Sequence, residues 1–591
     1  MVDYILKTIE NKTCNRAKSI PALFALSVAL ITLIVYLPAL NNGFVNWDDP
    51  LYVTENLHIR SLDIKWLFTG VVAANWHPLT MLSHTVDFAL WNMNPWGHHL
   101  TSVILHALNT ALVYMVTFRL ISIAQKNTDN KITGRVIAGA AAALLFGLHP
   151  LHVESVAWVS ERKDVLSAFF YLIAILLYLQ YAARGASKKP LYYVMSLVVF
   201  TLALMSKPMA VSLPIVLLIL DFYPLDRLRN LKKAVIEKVP FFVVTIFVVV
   251  MTLSTQRTAM ADYPLTERPV VAIKGLVFYI YKFLLPLHLA PYYPMPLEVS
   301  FLSAGFIISL LVILAISAFC VLTLRRTGKF TAAWLYYFVT ILPVIGIVQV
   351  GGQAAADRYM YLPSIAFFII IGAGAGAGAG ACRTAAKTFG NRICLFVPVL
   401  AVLAVSVLLA FQTVKQIGVW KDSITLWTYE TAFLEKRLDR IKVPVEIVYY
   451  NLGVAYDESG RHYKAIEIFS YVISKSPRYA KAFINRGIAY GETGDLPSAF
   501  RDLNIAVKLA PANPNTYLNR GTAFLMSGDY GSAEEDFKRT VALDPENAVG
   551  FYNLGLVYLR TGDRKKAERN IGIAASMGLK EARDFLGREG F

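Results

Sequence analysis

The sequence predicts an all-α protein in two parts: a polytopic helical membrane domain of about eleven spans, then an α-solenoid of helical repeats. Three observations predict it. The 591 residues are 56% hydrophobic and only 16% charged, with a mean hydropathy of +0.50, whereas soluble domains carry roughly 25% charged residues. Apolar runs of about 15 to 25 residues, each long enough for a helix near bilayer thickness, recur up to residue 414. From residue 446 a strict period of 34 residues replaces them.

The apolar runs are 21–40, 98–122, 136–150, 164–183, 190–206, 208–225, 239–256, 270–289, 301–324, 331–350, 360–382 and 392–414. Backbone groups in lipid have no water to bond, so spanning segments are helical. Lys7, Lys12, Arg16 and Lys18 precede the first run. That run is too long for a signal-peptide core and no small-residue cleavage site ends it, so it reads as an uncleaved first span. With the basic N-terminus inside, the inner loops collect clusters such as Arg227, Arg229, Lys232, Lys233 and Lys238. A full crossing by 270–289 would put Arg325, Arg326 and Lys329, and then Arg383, Lys387 and Arg392, on the outer side. That run also holds Lys274 and Lys282. It therefore reads as an outer or re-entrant segment within 257–300, which leaves eleven crossings and an outer C-terminal domain. The membrane domain is 1–415, followed by a linker, 416–445.

The net charge of +17 is not a nucleic-acid signal. Residues 446–591 hold 19 Lys and Arg against 18 Asp and Glu, so +16 lies in 1–445. No basic stripe interleaved with aromatics occurs in the repeats. The four cysteines, Cys14, Cys320, Cys382 and Cys394, form no CxxC pair, which argues against a disulfide framework or zinc ribbon. The run Gly372–Gly380 alternates glycine and alanine. It lacks the strand before and the Lys-Ser/Thr after that a phosphate loop requires, so it reads as a surface for close helix packing.

The period-34 segment aligns Tyr449, Leu452, Gly453, Tyr456, Ala465, Phe469 and Pro477 with Phe483, Arg486, Gly487, Tyr490, Ala499, Leu503 and Pro511. Tyr517, Arg520, Gly521, Phe524, Ala533, Phe537 and Pro545 form the third set, and Phe551, Leu554, Gly555, Tyr558, Ala567 and Ile571 the fourth. This is the tetratricopeptide pattern, four repeats over 446–581 with a C-terminal cap at 582–591. Such arrays bind proteins or peptides in a concave groove; a purely structural array is the plainer reading.

Chemistry concentrates in the loops of the membrane domain. The first, 41–97, opens with Asn46-Trp47-Asp48-Asp49-Pro50 and carries five of the nine tryptophans. Ser61–Phe68 and Pro78–Trp91 read as amphipathic helices. The tryptophans form either an interfacial belt or a platform for a sugar, with Trp47 and Trp76 as candidate contacts. The second loop holds His149, His152, Glu154, Glu161, Arg162, Lys163 and Asp164. Its histidine spacing is not that of a zinc helix, so no metal is assigned. Glu154 and the histidines are expected to bond the first loop, with His77 and His152 as supporting residues. Arg162, Lys163, Lys207 and Arg358 are candidates to meet a phosphate, because a guanidinium bonds phosphate bidentately and lysine acts as a point charge. The alternatives are snorkelling for Lys207 and an ion pair with Asp357 for Arg358. Carboxylates and cations at a membrane surface suit displacement at an anomeric carbon with a lipid phosphate leaving. One acid takes the acceptor's proton and the cations stabilise the phosphate.

Asn46-Trp-Asp-Asp49, His149-Pro-Leu-His-Val-Glu154 with Arg162-Lys-Asp164, and Asp357-Arg-Tyr-Met-Tyr-Leu-Pro363, joined to the repeat array, resemble the TMTC (transmembrane and tetratricopeptide repeat) proteins. Those are C-type multispanning glycosyltransferases similar to protein O-mannosyltransferases. The resemblance implies a polyprenyl-phosphate sugar donor, inverting transfer of a sugar such as mannose to a Ser/Thr hydroxyl of a protein or peptide bound by the repeats, and no cofactor. It implies a catalytic acid at Asp48 or Asp49; Asp49 is expected to be the base and Asp48 to orient the loop. Tyr361 joins Trp47 and Trp76 as a candidate acceptor or sugar contact. Short loops and four repeats resemble bacterial members, which places the protein in an inner membrane with its active loops in the periplasm, or in the endoplasmic reticulum lumen if eukaryotic. A non-catalytic scaffold is the competing reading, although one span would suffice as an anchor. Transport ranks last, since the acids lie outside the spans.

Overall fold

The computed structural model describes residues 14–125, 132–183, 189–256, 264, 266–296, 299–347, 352–389, 397–438 and 446–589. Lys7, Lys12, Arg392 and Cys394 lie outside them, as do the side chains of Cys14, Arg16, Lys18, Cys382, Arg383 and Lys387. Cys320 is buried and unpaired. The chain divides into two compact units, Met1–Pro444 and Val445–Phe591.

The first unit is built of helices. After α1 (Cys14–Tyr36) come the two short helices of the long loop, α2 (Ile64–Thr69) and α3 (Pro78–Trp91), where the alternation of apolar and polar faces placed them. The Asp63 carboxylate caps α2 by accepting from Trp66 N–H (2.9 Å). Next are α4 (Pro95–Ala124), α5 (Ile132–Gly147), the short α6 (Val153–Ala157), α7 (Arg162–Ala182) and α8 (Lys189–Ser206). They are followed by α9 (Leu213–Phe222), α10 (Leu231–Ile236), α11 (Val239–Gln256) and α12 (Arg268–Leu284). The unit ends with α13 (Ala304–Leu324), α14 (Lys329–Ile341), α15 (Ile365–Phe389), α16 (Val397–Ile417) and α17 (Ser423–Leu438).

Among the described residues six helices are long and apolar enough to cross a membrane. Two further pairs, Ile132–Gly147 with Pro150–Ala157 and Leu228–Ile236 with Val239–Thr255, each bend by 54°. Pro208–Phe222, Lys329–Val344 and Ile365–Ala381 are shorter apolar helices. These eleven segments leave out 270–289. In α12 the Lys282 ammonium instead turns back to donate to the carbonyls of Leu287 (2.7 Å) and His288 (2.8 Å), closing the helix end.

Two expected spans are shorter than their apolar runs. The run 331–350 leaves the α-helix after Ile341, just before Pro343, because proline lacks the amide that a continuing helix needs, and the α-helix of 360–382 begins only at Ile365, after a short turn Asp357–Met360 and Pro363. The Gly/Ala run of α15 packs against α5. A Cβ at Gly372 would strike the carbonyl of Ala138, and one at Gly376 that of Gly134, so the glycines allow backbone-to-backbone approach. Two short antiparallel strands, β1 (Tyr293–Pro294) and β2 (Gln353–Ala355), join the loops after α12 and α14.

The segment expected as a linker, 416–445, is largely structured up to residue 438. Trp420 and Trp427 are about 1% exposed, and α17 packs on the rest of the membrane unit.

The second unit pairs α18 (Glu446–Glu458) with α19 (His462–Lys475), α20 (Ala480–Glu492) with α21 (Leu496–Leu509), α22 (Pro514–Ser527) with α23 (Tyr530–Leu543) and α24 (Ala548–Arg560) with α25 (Arg564–Ser576). A last helix, α26 (Lys580–Glu589), packs its buried Ala582 against Ile571 and Ala574. Each pair is close because a glycine of the first helix receives the large residue of the second: Gly453 faces Phe469, and Gly521 faces Phe537. Gly460, Gly494, Gly528 and Gly562 turn between the helices at φ +75° to +86°, where a side chain is strained.

Candidate active site

The acid loop follows the first span after one short turn, Leu37–Asn41. Its two carboxylates meet different surroundings. Asp49 is 1% exposed. Its Oδ2 accepts from Val45 N–H (2.9 Å), and its Oδ1 accepts from Ser160 N–H (3.0 Å) and from the Ser160 hydroxyl. Burial pushes its pKa up; the three hydrogen bonds pull it back and leave it at about 6. Asp48 is half-buried, and its carboxylate makes no hydrogen bond or ion pair among the described residues. Burial raises its pKa, the Lys163 and Arg358 charges lower it, Glu161 raises it, and the balance is upward.

Beside Asp48 lies a compact ionic cluster centred on Glu161. Its Oε1 is 2.9 Å from Lys163 Nζ and 3.2 Å from Arg358 Nε, and its Oε2 is 3.1 Å from Lys207 Nζ. Lys207 also reaches Asp164 (2.7 Å), and Arg358 Nη1 pairs with Glu154. Burial opposes the charge of Arg358, but Glu154 and Glu161 more than offset it and hold its pKa well above the usual value. Three cations thus share three carboxylates, while Arg358 Nη2 makes no bond among the described residues. The guanidinium lies over the Trp158 ring (5.5 Å) and the Tyr359 ring (5.1 Å).

An aromatic wall completes the site. Half-buried Trp47 stacks on Trp158 (4.7 Å), lies 5.0 Å from Trp427 and meets the edge of Tyr292 (6.1 Å). Trp158 in turn stacks on Trp420 (5.2 Å). Helix α17 also reaches the loop that carries Tyr292, whose amide donates to Glu430 (3.3 Å).

Of the candidate residues, Trp47, Asp48, Asp49, Glu154, Lys163, Lys207 and Arg358 therefore form one neighbourhood. The others do not. Arg162 is completely buried; it pairs with Asp87 and donates to the His98 carbonyl, so it locks α7 to the long loop and offers nothing to an anion. Trp76 is buried, with its indole N–H bonded to the Phe68 carbonyl (2.8 Å). Tyr361 is buried between His106 (2.7 Å) and Asn109 (3.0 Å) in the helix core. His152 bonds the Phe146 carbonyl (2.8 Å) and Ser364 (3.1 Å), and His149 bonds the Phe283 carbonyl (3.0 Å).

The expectation that Glu154 and the histidines join the second loop to the first is thus corrected. Ser160 with Asp49, and Arg162 with Asp87, make that link. His77 is buried and stacks on Tyr52 (5.3 Å), behind Lys163. Burial and the Lys163 charge push its pKa down to about 3, so its ring is neutral. Among the described residues no group of three or more His, Cys, Asp or Glu side chains is disposed around a metal position.

Sequence reasoning gave no role to Ser160, Glu161 and Trp158 of the second loop, and missed Trp420 and Trp427. The last two were detectable, because two tryptophans seven residues apart are foreign to a linker.

Residues 450–514 and 518–572 match the family model of the tetratricopeptide repeat. The chain is similar to the protein O-mannosyl-transferase Tmtc1 of Drosophila melanogaster, at 29% identity over 31% of this chain and 21% of that protein. Tmtc2 of the same fly is 31% identical over 28% of the chain and 18% of its own length. Human TMTC1 is 28% identical over 36% and 25%. The matches thus span about a fifth to a quarter of these relatives.

Among solved structures, the chain is similar to MamA from Desulfovibrio magneticus RS-1, with 20% identity, 26% of this chain, 83% of that chain and a TM-score of 0.23. It is also similar to the first repeat domain of RPAP3 bound to an HSP90 peptide, with 24% identity, 20% and 93% coverage and a TM-score of 0.19. The chain is TMTC-like: a multispanning helical protein with tetratricopeptide repeats, similar over part of its length to proteins named protein O-mannosyl-transferases.

Proposed function

We propose that the protein is a membrane glycosyltransferase that moves a sugar, such as mannose, from a polyprenyl phosphate to a Ser/Thr hydroxyl of a protein. The observation that carries the reading is the open carboxylate of Asp48, half-buried between Trp47 and the Glu161 cluster. A carboxylate with no partner in a cluster where every neighbouring acid has one is available to take a proton. The roles within the pair are thereby exchanged relative to expectation: Asp48 is the base, and Asp49, with both oxygens occupied, holds the loop.

In the proposed step Asp48 takes the proton of the acceptor hydroxyl. The acceptor oxygen forms a bond to the anomeric carbon from one face, and the carbon–oxygen bond to phosphate breaks on the other. The electron pair leaves with the polyprenyl phosphate, and the configuration inverts. Lys163, Lys207 and Arg358 provide positive potential for the phosphate. Glu161 holds them in place before substrate arrives, so little reorganisation is needed at the moment of reaction. Trp47 offers a face for a sugar ring or acceptor side chain.

A lipid-borne donor is supported by a half-open apolar pocket of about 130 Å³ within the helices. Val216, Ile219 and Leu220 line it from α9, the helix that follows Lys207, and Ile365, Ala366 and Ile369 from α15, the helix that follows Arg358. The acid loop faces the compartment opposite the basic loops, and the repeats bind the acceptor chain. A scaffold reading leaves the buried ionic cluster without a purpose, although burying such charges is costly.

The test is incubation of the purified full chain with a panel of polyprenyl-phosphate sugars and Ser/Thr peptides, followed by mass spectrometry. Transfer to a peptide hydroxyl with inverted anomeric configuration is expected. Donor loss without glycosylated peptide, or no reaction with any donor, contradicts the proposal.

A further inference from the structure

The last span and α17 run directly past the acid loop. Four hydrogen bonds connect one continuous segment, Ile417–Trp427, to the residues just before Asp48. Asn42 Nδ2 donates to the Ile417 carbonyl (3.2 Å), and Gly43 N–H donates to the Lys421 carbonyl (2.8 Å). Asn46 N–H donates to the Ser423 hydroxyl (2.9 Å), and the Trp427 indole N–H donates to Asn46 Oδ1 (2.7 Å). The Trp427 ring then packs on Trp47, and Trp420 on Trp158. The partners are 375 to 381 residues apart in the chain for the three side-chain bonds.

We propose that Ile417–Trp427 is a positioning clamp for the acid loop, with Ser423 and Trp427 as positioning residues that aim Asp48. The inference rests on the enzymatic reading above and adds residues to it from outside the loop motifs.

The geometry argues for aim rather than adhesion alone. Residues 42–49 are held at two places. Downstream, Asp49 is pinned by Val45 and Ser160. Upstream, Asn46 is gripped at both its backbone amide and its side chain by the two ends of about one helical turn, Ser423 to Trp427. Asp48 sits between these anchors, and its carboxylate is the one acid of the pair left open. A residue that must meet a moving hydroxyl gains from a backbone fixed on both sides, because displacement by about 1 Å costs on the order of 100-fold in rate. Two long-range hydrogen bonds onto one residue, Asn46, fix a rotation as well as a position, which ring packing on Trp47 alone would not do.

The test uses the full chain and compares wild type with Ser423→Ala, Trp427→Phe, the double variant and Ser423→Thr. Sugar transfer gives kcat, donor KM and pH profile, and hydrogen exchange is followed in peptides covering 42–49. The clamp predicts a kcat loss of about 10-fold to 100-fold in the double variant with donor KM unchanged. It also predicts faster amide exchange at Asn46 and recovery of both properties in Ser423→Thr, which keeps the hydroxyl. Unchanged exchange at Asn46 overturns the clamp. Faster exchange with unaltered kcat and pH profile overturns its positioning role, since a merely structural contact behaves that way. If the wild type transfers no sugar, the enzymatic reading is what fails; exchange at Asn46 then still decides whether 423 and 427 hold the loop.

Discussion

The repeat array and the membrane site both bury acids beside cations, and they finish the job differently. In the array, Arg486 meets Asp502 through two hydrogen bonds (2.6 and 2.9 Å), and one period later Arg520 meets Asp536 in the same way (2.8 and 2.8 Å). Each carboxylate is closed by one guanidinium, the pairs repeat with the helices, and no charge is left over in them. In the membrane unit, Glu154, Glu161 and Asp164 share Arg358, Lys163 and Lys207, and Asp49 is closed by amides and a hydroxyl. Asp48 stands next to all of this with its carboxylate open. The difference separates charges that hold a fold from charges arranged around a group still free to react.

The largest effect is expected at the open acid. Asp48→Asn lowers kcat for sugar transfer by about 10²- to 10⁴-fold, the range for loss of a general base, while thermal unfolding in detergent is unchanged. Arg162 belongs with the closed charges. Arg162→Met strands Asp87 in a buried site and costs about 3–5 kcal/mol, read as loss of folded protein in a thermal melt.

Asp49→Asn sits between the two classes. It replaces one of the two acceptor oxygens with an NH2 group, leaves at least one of the three donors unpaired and costs about 1–3 kcal/mol, with a smaller loss of kcat than Asp48→Asn. Its pH signature is also specific. With its pKa raised to about 6, Asp49 binds its proton more tightly in the folded chain than in the unfolded one, where the value is about 4. Its contribution to stability is therefore full below about pH 4 and is lost as the pH rises through about 6. Asp49→Asn removes that slope from melting curves recorded across the interval. The smallest effect is in the array. Arg520→Lys keeps the charge, loses one of two bonds to Asp536 and costs about 0.5–1.5 kcal/mol, seen in the unfolding of the repeats and not in transfer of sugar to a short peptide.

The repeats were legible in the sequence because each position obeys one local rule: a glycine at 453, 487, 521 and 555 meets a large residue sixteen positions later. The spans were legible for the same reason, except where one α-helix ends just before Pro343 and another begins only at Ile365, inside their apolar runs. The long-loop helices and the close-packing role of Gly372 and Gly376 also followed from local pattern. The site was legible only as a set of residue types. Whether Asp48 or Asp49 is open depends on Ser160, which is 111 residues away. Arg162, Lys163 and Lys207 look alike as sequence, yet α7 turns Arg162 into the core toward Asp87 and Lys163 toward Glu161. Trp76 and Tyr361 were plausible platforms as exposed aromatics, and their burial removes them. Trp427 follows the last apolar run, where a connection was expected, and only its spacing from Trp420 marked it.

The most direct test of the account is the pH dependence of kcat/KM for sugar transfer by wild type, Asp48→Asn and Asp49→Asn. A base must be ionised to act, and burial raises the pKa of Asp48. The account predicts that wild-type activity climbs with pH through a single ionisation above the ordinary aspartate value of about 4. That climb disappears in Asp48→Asn and persists at lower amplitude in Asp49→Asn. A climb retained in Asp48→Asn and abolished in Asp49→Asn would contradict it.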